Sequence, residues 1–146
     1  MNVDERKRGI HLESLVKMFQ DAVDITKMLG VEYIWIDSLC IVQDSRQDWE
    51  HESLLMGMVC GNSYYDIAAT ACSDGRGGCF GARDPHTVLP CLVTIGIAGK
   101  RQLFYLSDID IWSESFARSP LNVRAWVLQE RLLSPRVLHF DNDQLV

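Results

Sequence analysis

Three stretches of this sequence gather side chains that can do chemistry. The first is Asp37, Ser38, Cys40, Gln43 and Asp44, close behind the apolar run of residues 31–36. Open α/β sheets bind their ligands beyond the carboxyl ends of parallel strands, and this cluster would stand at such an end. The same residues also suit a plain structural role, with Asp37 capping a turn and Cys40 packed inward. The second stretch is Gly75-Arg76-Gly77-Gly78, inside a loop over residues 72–85 that holds four glycines. Such a loop can turn backbone N–H groups toward an anion. No Walker lysine follows it and no G-x-G-x-x-G follows a strand, so a flexible surface loop is the simpler reading. The third stretch runs from Arg124 through Trp126, Gln129 and Glu130 to Arg131. On a helix, Trp126 and Glu130 are four apart and share a face. They can line a pocket. Equally, Trp126 can be a core anchor worth ~3–5 kcal/mol on truncation, with Glu130 paired to an arginine.

The histidines add no fourth cluster. His11, His51, His86 and His139 stand in separate segments without metal-ligand spacing, and no G-x-S-x-G occurs.

The elements that must hold these groups follow from periodicity. Apolar residues three and four apart predict a helix over residues 12–29, stopped by Gly30. Residues 31–36 (VEYIWI) read as a strand buried on both faces, and helix-then-strand is the beat of an α/β fold. A second helix starts between Asp44 and Asp48, capped by either aspartate. It carries Trp49, Ser53, Leu55, Met56, Val59 and Cys60 on one side and stops at Gly61-Asn62. A second strand falls within residues 64–71. Residues 88–97 and 103–106 predict a hairpin. Short helices are expected over residues 109–118 and 124–132, then a strand over residues 136–140 and a turn at Asp141-Asn142-Asp143. The fold class is α/β: a partly parallel sheet flanked by helices, with a β-hairpin and short helices in the second half.

Composition bounds the rest. With 146 residues the chain has the length of one domain, expected over residues 12–146 behind a frayed N-terminus at 1–11. Its net charge is −6, and residues 1–73 hold 12 of the 20 carboxylates but only 6 of the 14 basic side chains. Nucleic acid is therefore not an expected partner, because phosphate binding needs clustered Lys and Arg. No apolar run reaches bilayer length and the first residues lack a signal-peptide core, so a cytoplasmic protein is expected. The five cysteines form no C-x-x-C pair and read as buried, reduced thiols.

Two long runs resemble a known family. Tyr33-Ile34-Trp35-Ile36-Asp37-Ser38-Leu39-Cys40-Ile41-Val42-Gln43-Asp44, followed by Asp48-Trp49 and Met56, is similar to the central motif of the heterokaryon incompatibility (HET) domain, Y-x-W-I-D-(S/A)-L-C-I-x-Q-D. Cys60-Gly61-Asn62-Ser63 and Asp66-Ile67-Ala68-Ala69 resemble an altered Y-x-N-A…T-I-A-A segment. Pro120-Leu121-Asn122-Val123-Arg124-Ala125-Trp126-Val127-Leu128-Gln129-Glu130-Arg131, continuing to Arg136, resembles the family's P-L-N-x-R-A-W-x-L-Q-E-R-x-L-S-P-R. The family's opening Y-x-x-L-S-Y-x-W-G has no counterpart here, and the chain stops at Val146, so the domain is expected to be incomplete at both ends.

The resemblance implies fungal non-self recognition and the triggering of programmed cell death through protein partners or self-association. It marks Asp37, Ser38, Cys40, Gln43, Arg124, Trp126, Gln129 and Glu130 as motif or ligand-binding residues, with no metal. The family's remote likeness to TIR domains, some of which cleave NAD, implies an alternative: an NAD-cleaving enzyme. Its carboxylate beside the ribose would be Asp37 or Glu130, with Glu52 the weaker candidate. A further alternative is an inactive, truncated copy.

Overall fold

The computed structural model describes residues 3–72, 74–82, 84, 89–97, 99–106, 125–141 and 145. Helix α1 (Val3–Arg8) buries none of its residues, and Arg6 ties it to the chain by donating from Nη1 to the Ser38 carbonyl at 3.4 Å. A 3-10 turn (Leu12–Ser14) follows, then helix α2 (Lys17–Met28). The expected helix over residues 12–29 thus begins five residues late. Leu15 and Val16 are extended, and they separate the turn from the helix. Val16 caps α2 without a side-chain acceptor, so the helix borrows partners for its first turn. Met18 N donates to Gly75 O at 3.0 Å. The far end closes as a Schellman motif: Val31 N reaches Thr26 O, Gly30 N reaches Lys27 O, and Gly30 takes φ +69°. Gly30 therefore stops the helix, as its position in the sequence implies.

Residues 31–36 do not form a strand. They lie extended into Ile36 (φ −132°, ψ 116°), but no neighbour pairs with them among the described residues. Nor are they buried on both faces, since Tyr33 is 84% exposed. An apolar β-branched run supplies strand propensity, but a ladder also needs a partner edge. Asp37 opens a single helical turn, α3 (Asp37–Cys40). Helix α4 (Arg46–Gly61) is capped by Ser45, whose Oγ accepts from Asp48 N at 3.2 Å, and not by either flanking aspartate. Asp48 instead accepts from Val42 N at 2.7 Å, locking the preceding loop. Of the side expected to face inward, Met56 and Cys60 are buried and Trp49 is 49% exposed.

Strand β1 (Asp66–Ala68) pairs in parallel with the later β4 (Val137–His139), in the register Asp66↔Val137, Ile67↔Leu138, Ala68↔His139. Between them come the antiparallel hairpin β2 (Cys91–Ile97) and β3 (Lys100–Leu106), then helix α5 (Ala125–Leu133), which packs on α4. The hairpin and α5 match their predicted places. The helix expected over 109–118 and the turn at 141–143 lie wholly or partly outside the described residues. The fold is mixed α/β, with a small parallel sheet and a separate hairpin. Its core is Ile25 of α2 against Ala69, Cys79 and Phe140, flanked by Met18, Ile67, Cys72 and Leu138. No helix among the described residues is long and apolar enough to cross a membrane.

Candidate functional site

The residues after β1 fold back onto α2, and there the glycine loop meets its anion. Asp21 is 1% exposed. Its Oδ2 accepts from Cys79 N at 2.8 Å and Phe80 N at 3.5 Å, and its Oδ1 accepts from Lys17 Nζ at 2.5 Å. Burial pushes the Asp21 carboxyl up, but the Lys17 bond and the two backbone donors outweigh it and hold the group below the usual carboxylate range. Gly78 makes this approach possible. It has φ +75°, and a Cβ there would collide with Asp21 Oδ2 and the Lys17 side chain. Gly75 and residues 78–80 of this loop are therefore docked on α2, and the anion they cradle belongs to the protein itself.

The first motif is held by its own backbone. Asp37 Oδ1 accepts from Ser38 N at 2.5 Å. Gln43 Nε2 donates to Ile41 O at 3.1 Å and to Asp37 O at 3.4 Å. Gln43 thus clamps the turn. Cys40 is exposed, which removes the inward-packed reading, while the Ser38 Oγ is buried without a hydrogen-bond partner.

Asp37 and Glu130, far apart in sequence, line one cavity of about 710 Å³. Its walls come from α2 (Phe19, Ala22, Thr26), Val31 and residues 33–37, the end of α4 (Val59, Cys60), β1 and α5 (Val127, Glu130, Arg131). Asp66 enters it from the start of β1. Burial raises the Asp66 carboxyl, opposed by the bond it accepts from Ile67 N. The buried Cys60 thiol is raised by burial first, and then by the negative charges of Glu130 and Asp66. Sequence reasoning therefore found two of the carboxylates on this cavity and missed Asp66. The available signal was a carboxylate alone in the apolar run YYDIAATA.

The other expected site residues are not gathered here. Gln129 faces Gly57 of α4, Glu52 is half-buried on α4 away from the cavity, and Cys40, Gln43 and Ser38 do not line it. Arg124 and the side chain of Trp126 lie outside the described residues. No group of His, Cys, Asp and Glu able to hold a metal occurs among the described residues. All five cysteines are free. Cys60 and Cys79 are buried, Cys72 is half-buried with its Sγ donating to Gly78 O at 2.5 Å, and Cys40 and Cys91 are exposed against expectation. His139 is the one histidine buried among the described residues, with Nδ1 3.3 Å from Thr70 Oγ1.

A parallel strand pair between helices, with motif carboxylates from two distant segments on one cavity, makes the described residues a small α/β domain with a composite candidate site. The family model described as heterokaryon incompatibility protein (HET) matches residues 2–130. The chain belongs to the HET family. No curated protein and no solved structure shows a significant match.

Proposed function

We propose that this chain acts in fungal non-self recognition, as a cytoplasmic module that triggers programmed cell death by contact with protein partners or with itself. The observation that carries the reading is the HET match over residues 2–130. Inducible expression in a filamentous fungus tests it. Growth arrest that is kept by a surface change such as Lys27→Ala and lost with Glu130→Gln supports the reading; unimpaired growth at full protein level overturns it.

A second reading is cleavage of NAD, and one observation favours it: Asp37, Asp66 and Glu130 reach the same cavity. A carboxylate held beside a ribose stabilises an oxocarbenium-like state. Glu130 is the residue assigned that role, beside Asp66, whose carboxyl burial raises. Pure protein incubated with NAD would release nicotinamide, and Glu130→Gln would abolish the release. No release at high protein concentration removes this reading and leaves the first intact.

A further inference from the structure

The glycine loop closes on a second group besides Asp21. Cys72 is half-buried, Cys79 is buried, and both are thiols here. Cys72 packs against the core cluster to which Cys79 belongs, with Ile25, Ala69 and Phe140. Its Sγ donates to Gly78 O at 2.5 Å. That oxygen and the Cα of Cys79 lie on the same side of one trans peptide bond, about 2.8 Å apart. Cys72 Sγ therefore stands within roughly 5.3 Å of Cys79 Cα. A cysteine sulfur lies about 2.8 Å from its own Cα, so the Cys79 side chain spans most of this gap and leaves little more than an S–S bond of about 2.0 Å. Gly77 makes room for the approach, since a Cβ there would sit 2.9 Å from Cys72 Sγ. Gly77 thus admits the sulfur as Gly78 admits Asp21. The fold holds the arrangement, because Asp21 fixes the N–H groups of Cys79 and Phe80 from the other side of the loop.

We propose that Cys72 and Cys79 form a reversible redox switch, which a low-molecular-weight disulfide such as oxidised glutathione closes into an intrachain disulfide. The Cys72 thiolate, the less buried of the two, attacks one sulfur of glutathione disulfide and releases one glutathione. The Cys79 thiolate then attacks the Cys72 sulfur of the mixed disulfide and releases the second. Two protein thiols are oxidised, one glutathione disulfide is reduced, and the two protons leave with the glutathione thiols. Burial, and then the charges of Asp74 and Asp21, raise the Cys72 thiol, so exchange is slow at neutral pH. The pair therefore answers a lasting change of redox poise and not a brief one. In a reducing compartment it rests as thiols. Cys72, Asp74, Gly75 and Cys79 all line the cavity, so the bridge staples the stretch of wall that the glycine loop supplies.

The test uses the full chain with Cys40→Ser and Cys91→Ser, which removes the two exposed thiols. It is equilibrated in glutathione buffers of graded ratio, folded and in concentrated urea, then quenched, alkylated and cut with trypsin. Arg76 lies between the two cysteines, so cleavage after it parts them unless a disulfide joins the fragments. The folded chain is expected to give joined fragments that a reductant separates, with Cys60 alkylated throughout. The parent chain, mapped in the same way, is expected to show the same joined fragments. The effective concentration of the pair is expected to be about tenfold higher folded than in urea, and by linkage the bridge favours the folded state by that factor. An effective concentration equal to or below that in urea overturns the proposal. So does a bridge from Cys60 to either cysteine in place of this pair, or full alkylation of Cys72 and Cys79 at every ratio.

Discussion

Replacing Asp21 with alanine takes the carboxylate away from the Cys79 N–H in the core and removes the anion around which residues 78–80 fold. A buried donor left without its acceptor costs about 1–3 kcal/mol, so Asp21→Ala is expected to lower stability by at least that much in urea denaturation. Lys17→Ala is expected to cost far less, because its side chain is 57% exposed and water takes over its role. Gly78→Ala tests the same contact from the other side. Its φ of +75° disfavours any L side chain by about 1–2 kcal/mol, and the added Cβ also pushes on Asp21 Oδ2. The expected result is a loss no smaller than that of Asp21→Ala, with the two losses non-additive in the double variant since both break one contact. Additive losses would show that Gly78 and Asp21 act separately.

Among the elements, α4 offers the cleanest check, because its start depends on one hydroxyl. Ser45→Ala removes the acceptor for Asp48 N and is expected to cost about 1 kcal/mol, while Asp44→Ala is expected to be nearly silent. Chemical denaturation of the two variants decides between serine and aspartate as the cap. The pair also shows what the sequence could and could not convey. Helices α2, α4 and α5 were legible because apolar periodicity is local, and Gly30 was legible as a stop because only a left-handed residue closes that motif. The cap was misplaced because Asp44, Ser45 and Asp48 are all good N-caps, and the backbone chooses among them. Residues 31–36 carry every local mark of a strand, yet strandedness is a property of pairs, and no partner edge is present among the described residues. The site was half legible for the same reason. Motif spacing marked Asp37 and Glu130, but Asp66 joins them only through the parallel pairing of β1 with β4, some 70 residues away.

At the scale of the whole molecule, the buried ionisable groups set how stability responds to pH. His139 is held below its ordinary value by burial first and then by the charge of Arg131, with Asp141 opposing. Its native form is neutral, so its contribution is intact above pH 6.5 and is lost as pH falls from there through the lower folded value. Asp21 is depressed, so its contribution persists above about 3.8 and is lost only as pH falls through a still lower value. Asp66 has the opposite sign. Its folded pKa is raised, so the charged form destabilises the native state at neutral pH, and the penalty is relieved as pH falls toward the unfolded value of 3.8. As pH falls from 6.5 toward 3.8, the His139 loss and the Asp66 relief oppose one another, and together they flatten the stability profile. Asp66→Asn removes the relief and keeps an acceptor for Ile67 N. That variant is expected to be more stable than the parent at pH 7, and to fall more steeply than the parent as pH drops toward 3.8. Equilibrium denaturation of both proteins across this range measures the two slopes. A variant less stable at pH 7 would mean that the Asp66 carboxylate is held by a partner that makes its charge favourable.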